Sequence, residues 1–123
     1  MEYTYEIIRE DKIIIVTVWG DLTTAETALM GKTIRHKAQT MNCNILFDFR
    51  NSRNKLSIGE AYFWFADHYD KINVGFRNIP TVHLINENDK QFFHFFETTS
   101  FNKGIKIKMF TEIEHALEYL KYA

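Results

Sequence analysis

The densest run of chemistry-bearing side chains lies between positions 48 and 59, where Asp48, Arg50, Ser52, Arg53, Lys55, Ser57 and Gly59 follow one another closely. An apolar string, Asn44 to Phe49, reads as a short buried strand, and Ser57 followed by Glu60 is a capping box that should open a helix. Arg50, Arg53 and Lys55 therefore stand at the carboxyl end of an expected parallel strand, just before a helix start whose free N–H groups and dipole favour an anion. Open α/β sheets take ligands at such edges. The seven residues form a candidate site for a phosphate, a carboxylate or a partner's acidic side chain, with Ser57 and Gly59 offering close backbone approach. The plainer alternative is a solvated charged loop with Ser57 as an N-cap. Asp48 could act as a general base, but a lone carboxylate there serves equally well to cap the chain or pair with Arg50 or Arg53.

Phe63 and Trp64 are a second candidate. On a wheel of about 100° per residue they point to either side of the core stripe of their helix, which makes them a candidate interface for a partner or a second copy. Coverage by a neighbouring loop or helix is the competing reading. The other reactive residue types do not assemble. His36 and His94 fall on polar helix sides, His115 lies in a last helix's first turn, and His68 stands near Asp67 and Asp70 without a completing ligand. His83 reads as a hydrogen-bonded strand histidine. Cys43 has no local activating context, and the chain contains neither a Gly-x-Ser-x-Gly elbow nor a phosphate or dinucleotide fingerprint. No catalytic residue, metal ligand or cofactor is assigned, and the expectation is a protein that is not an enzyme.

The elements that would position these residues follow from the apolar rhythm. Tyr3, Tyr5 and Ile7 alternate with Thr4, Glu6 and Ile8 as in a strand, and Lys12 to Trp19 is β-branched and nearly continuous, as in a strand covered on both faces. The short break at Glu10-Asp11 implies an antiparallel hairpin. Thr23 with Glu26 is a capping box for a helix to about Met41. Its inner face carries Thr27, Met30, Ile34, Ala38 and Met41, with Lys32, Arg35 and Lys37 off it. After Phe49, the string RNSRNKL reads as a loop. A helix from Ser57 to Lys71 places Ile58, Ala61, Tyr62, Phe65, Tyr69 and Ile72 on one face. Then come a strand Thr81 to Ile85, a helix capped by Asp89 and carrying Phe92, Phe93, Phe95 and Phe96, and a strand in which Ile105, Ile107 and Met109 alternate with Lys106 and Lys108. A last helix is expected from the Thr111–Glu114 capping box. The order ββαβαβαβα calls for an α/β fold: a mixed, mostly parallel five-stranded sheet, an N-terminal antiparallel hairpin and four helices.

Composition bounds what such a domain can do. With 123 residues the chain is one domain, and 15 Lys+Arg against 16 Asp+Glu leave a net charge of -1, which disfavours nucleic acid. A single cysteine allows no intramolecular disulfide and fits a reducing setting. The acidic N-terminus and the short aliphatic run from Ile13 to Val16 predict a soluble, cytoplasmic protein without membrane insertion. The 11 Phe, 6 Tyr and 2 Trp are many for this length, so a partner surface or an apolar ligand pocket is to be looked for.

The element order and several strings resemble the SpoIIAA-like fold, the group that holds the STAS domains. These are Trp19-Gly20-Asp21-Leu22-Thr23 closing the hairpin, ILFDF with Asp48 at its end, the strand Thr81 to Ile85, and the closing KIKMFTEIEHALEYL. The resemblance spans nearly the whole chain and rests on packing strings rather than catalytic signatures. It implies a non-enzymatic protein-interaction or regulatory module, with a phosphorylated serine in some members at the helix start where Ser57 stands. The compact Asp-Ser/Thr-Ser-Gly turn of those members is replaced here by the longer, more basic stretch from Asp48 to Ser57. The expected partner is another protein, or a second copy forming a homodimer. The alternative is a small-molecule binding domain, with an anionic or lipid ligand in an apolar pocket under the Phe-rich helix.

Overall fold

The computed structural model describes residues 1–55, 78–102 and 104–123. They form an α/β arrangement of five strands in one mixed sheet and three α-helices. The first two strands, β1 (Glu2–Ile8) and β2 (Ile13–Leu22), are the expected antiparallel hairpin, with Ile8 opposite Ile13 and Glu2 opposite Trp19. Its turn is closed by the Lys12 N–H donating to the Arg9 carbonyl, with Lys12 in the left-handed region at φ 55°, the arrangement that ends many four-residue hairpin loops.

The strands β3 (Asn44–Asn54), β4 (Thr81–Leu84) and β5 (Ile107–Phe110) then add in sequence order, each parallel to the one before. When every parallel step moves the same way across a sheet, right-handed crossovers put the connecting helices on one face. Helices α1 (Thr24–Met41) and α2 (Lys90–Asn102) both lie there: Met30, Ile34 and Ala38 of α1 and Phe92 and Phe93 of α2 share a core with Ile14, Val16, Ile45 and Phe47. The third helix, α3 (Ile113–Lys121), covers the other face through Ala116 and Leu120, packed with Ile13, Ile15, Leu46, Val82 and Leu84. The Asn44 side-chain N–H donates to the Leu120 carbonyl at 3.1 Å and ties the end of α3 to β3. Burial on both faces explains the unbroken IIIV run of β2: each fully buried Ile or Val contributes about 1.5–3 kcal/mol.

The local signals fare unevenly. The first capping box forms as expected: the Glu26 N–H donates to Thr23 Oγ1 at 3.4 Å and the Thr23 hydroxyl donates to Glu26 Oε1 at 2.9 Å. The Met1 ammonium lies 3.3 Å from the same carboxylate. The third box does not form. Glu112, not Thr111, occupies the N-cap of α3 and makes no side-chain cap bond. Nor does Asp89 cap the Phe-rich helix, because it ends a short 3-10 turn, Glu87–Asp89, that runs directly into α2 from Asn86. The expected helix over 57–71, the second of four, lies outside the described residues together with its capping box. On α1, Met41 is exposed where the wheel placed it inward, and Arg35, placed outward, is buried. At the sheet edge the expectation holds: Lys106 and Lys108 are exposed while Ile105 and Ile107 are buried. Glu97 of α2 accepts a 2.6 Å bond from the Met109 N–H, occupying a backbone donor of β5.

Candidate functional site

The stretch after Phe49 is not a loop through Asn54. It continues β3 alongside β2 by way of a bulge: Thr17 faces Asp48 but Trp19 faces Asn51, so one residue of β2, Val18, opposes two of β3, Phe49 and Arg50. One inserted residue shifts the two-residue alternation. Phe47 and Phe49 share the helix-covered face by ordinary alternation, and beyond the inserted residue the next buried residue is Ser52 rather than Asn51. Ser52 donates to the Phe49 carbonyl at 2.7 Å, closing the bulge from within.

Both arginines of the candidate anion site are held by carboxylates. Arg50 grips Asp48 with two parallel bonds, Nε to Oδ1 at 3.0 Å and Nη2 to Oδ2 at 2.9 Å, and its backbone N–H donates to the same Oδ1. This bidentate form is the strong kind of ion pair. Hydrogen bonding to Asp48 holds the Arg50 guanidinium above its ordinary pKa, with the charges of Asp48 and Glu114 adding to it against partial burial. The Arg50 carbonyl accepts from the Asn86 side chain at 2.7 Å, linking β3 to the end of β4. Arg53 donates from Nε to Asp21 across the sheet at 2.6 Å, with its side chain 73% exposed. Lys55 is exposed. The structure thus brings Asp48, Arg50, Ser52 and Arg53 together in one ordered strand extension. It realises the pairing of Asp48 with Arg50 that competed with a general-base role. Ser57, Gly59, Phe63 and Trp64 lie outside the described residues.

A second set of residues was missed by sequence reasoning. Arg35 is only 8% exposed and, among the described residues, meets no carboxylate. Burial alone pushes its guanidinium down to about 10. It curls over Gly31, one turn earlier on α1: a Cβ at that glycine would sit 2.7 Å from Arg35 Nη1. His83, on β4 between Phe47 and Met109, is 6% exposed, and its Nδ1 has no hydrogen-bond partner, so at that nitrogen the expected hydrogen bond is not made. Its ring is walled by Phe49 at 5.0 Å, Phe47 and Phe96 at 5.6 Å and Phe93 at 6.0 Å between centroids. Burial, and then the nearby Arg35 charge, pull it down to about 3, so the imidazole is neutral at neutral pH. The signal that could have found Arg35 is the i, i+4, i+7 spacing of Gly31, Arg35 and Ala38, which places it on an inward stripe with two small residues.

The carboxyl ends of β4 and β5 border an open cleft of about 260 Å³ lined by Lys90, His94, Glu97 and His115. Two of the lining side chains have local partners, Lys90 with Glu87 at 3.8 Å and His115 Nδ1 with Glu112 at 3.6 Å. Among the described residues no group of three His, Cys, Asp or Glu side chains could hold a metal ion, and no helix is long and apolar enough to cross a membrane. Cys43 is a buried free thiol at the start of β3's approach, its Sγ 3.6 Å from the Met41 carbonyl. Compared with protein-family models, curated proteins and solved structures, the chain finds no match.

Proposed function

We propose that this chain is a non-enzymatic binding module of the SpoIIAA-like type that docks an acidic surface of a protein partner on the segment from Asp48 to Lys55. The observation that carries the reading is the ordered extension of β3. Asp48 fixes the Arg50 guanidinium, and Asp21 that of Arg53, through only some of their donors, while the Asn86 side chain holds the Arg50 backbone carbonyl. A guanidinium whose position is already set loses less side-chain entropy when its remaining N–H groups meet a partner's carboxylates, and such preorganisation favours affinity. Lys55, exposed, follows directly on the carboxyl end of the same strand. A mixed, mostly parallel five-stranded sheet with one antiparallel strand at its start is compatible with the resemblance to the SpoIIAA-like group. A cytoplasmic location accords with the single free cysteine and the balanced charge.

The test is affinity capture with the full chain, run in parallel with Arg53→Glu. The expected result is a partner whose recovery falls about tenfold or more with the reversed charge and with added salt, a difference of about 1.4 kcal/mol, while the melting temperature stays within a degree or two. Equal recovery of every captured protein by both forms would overturn it. A concentration-dependent dimer abolished by Arg53→Glu would instead assign the surface to a second copy.

A further inference from the structure

We propose that β1 is a self-association edge that pairs antiparallel with β1 of a second copy about a twofold axis at Tyr5, so that the two sheets join into one. This edge shares no residue with the Asp48–Lys55 segment. β1 stands first in the sheet order, so one side of it has no neighbouring strand. Which backbone groups it leaves open follows from one bond. The Asn44 N–H donates to the Lys12 carbonyl at 2.8 Å, which aims that carbonyl at β3, and the Ile13 N–H of the same trans peptide unit points the opposite way, to β1. Alternation then makes Ile13, Ile15 and Thr17 the residues that bond β1, through their partners Ile8, Glu6 and Thr4. The N–H and C=O groups of Tyr3, Tyr5 and Ile7 therefore point away from the sheet, and among the described residues no bond is made to them.

The opposite edge of the sheet is closed. On β5 the Thr81 N–H donates to the Lys106 carbonyl at 3.0 Å, which turns the N–H groups of Ile107 and Met109 outward, and both are already used: Ile107 donates to the Ile105 carbonyl at 3.1 Å and Met109 to Glu97 at 2.6 Å. β1 lacks such protection. It is seven residues long, keeps an unbroken register with β2 and contains neither proline nor lysine. A second copy is the occupant its own sequence fits. The outward groups sit on odd-numbered residues, so an antiparallel pair can be centred on Thr4, Tyr5 or Glu6. Centred on Thr4 it sets Glu2 against Glu6, and centred on Glu6 it sets Glu6 against its own counterpart; like charges directly opposite are destabilising. Centred on Tyr5 it sets Glu2 against Ile8, Thr4 against Glu6, Tyr3 against Ile7 and Tyr5 against Tyr5, with no like-charged pair. The two glutamates thus select one register. Tyr3 and Ile7 already pack on the helix-covered core, while Tyr5 between them is 45% exposed, with Lys37 Nζ 5.1 Å from its ring centroid. A contact along one strand edge is small, so the dimer is weak, with a dissociation constant on the order of 10 μM.

The experiment is sedimentation velocity of the full chain over concentrations from about 1 to about 200 μM, which bracket that constant. The expected result is a shift from monomer to dimer as the concentration rises. Tyr5→Pro removes an outward N–H, a change that an edge strand tolerates, and should leave a monomer throughout with an unchanged far-UV circular dichroism spectrum. Tyr5→Lys sets two like charges opposite each other at the axis. It should weaken dimerisation tenfold or more, and it decides the matter if the proline variant does not fold. Arg53→Glu should leave the dimer unchanged, which separates this edge from the cationic segment. The proposal is overturned if the original chain stays monomeric at the highest concentration, if the Tyr5 variants dimerise as it does, or if Arg53→Glu abolishes the dimer.

Discussion

The Arg35 guanidinium occupies the space that a side chain at Gly31 would fill, its Nη1 lying 2.7 Å from where a Cβ at that position would be. A helix-interior glycine costs about 1 kcal/mol relative to alanine, so the sequence of α1 gives up helix stability at the one position where a buried cation folds back over the helix.

That relationship makes the two sites energetically coupled. In the Arg35→Met background, Gly31→Ala should stabilise the protein by about 0.5–1 kcal/mol, the ordinary helix gain. With Arg35 present the same change must displace a buried guanidinium, so the gain should vanish or reverse. Denaturant unfolding of the four proteins in a double-mutant cycle should give a coupling of about 1 kcal/mol or more. Simple additivity would show that the two side chains do not compete for space.

Acid stability should report on His83. Its folded pKa, about 3, lies below its ordinary 6.5, so the unfolded chain takes up a proton in this window that the folded chain refuses. The stability it allows is therefore complete above about pH 6.5 and is lost as the pH falls toward 3, by up to about 1.4 kcal/mol per unit. In His83→Phe this contribution disappears. Unfolding free energies of the two proteins measured from about pH 7 to 4.5 should diverge in favour of the variant as the pH drops, and parallel curves would contradict a buried neutral imidazole.

The two ion pairs of the β3 extension should differ in weight. Asp48 is 6% exposed and receives three hydrogen bonds from Arg50, so Asp48→Asn should cost about 1–3 kcal/mol. Asp21 and Arg53 are solvated, so Asp21→Asn should cost at most about 1 kcal/mol. Chemical denaturation of both variants checks the order, and equal losses would mean that the extension is not anchored at Asp48.

How much of this was legible in the sequence depends on the range over which each signal acts. The hairpin, the two-sided burial of β2, the first capping box and the lysine-bearing edge strand are local patterns, and the structure has them. The end of β3 was not legible, because RNSRN has no strand alternation of its own. It is strand because Asp21 and Asn86, distant in sequence, hold it and because a bulge shifts its register. Thr111 and Asp89 are good cap residues, but tertiary packing starts their helices elsewhere. Arg35 escaped notice because a wheel weighted by hydropathy assigns any arginine outward, whereas one turn away Gly31 makes an inward arginine fit.

Titration of the His83 imidazole by ¹H–¹⁵N NMR tests the buried arrangement most directly. The account expects its ring nitrogens to keep neutral shifts from about pH 8 down to about 5, with the midpoint moving upward in Arg35→Met as the neighbouring charge is removed. A midpoint near 6.5 in the original chain, unmoved by that substitution, would contradict it.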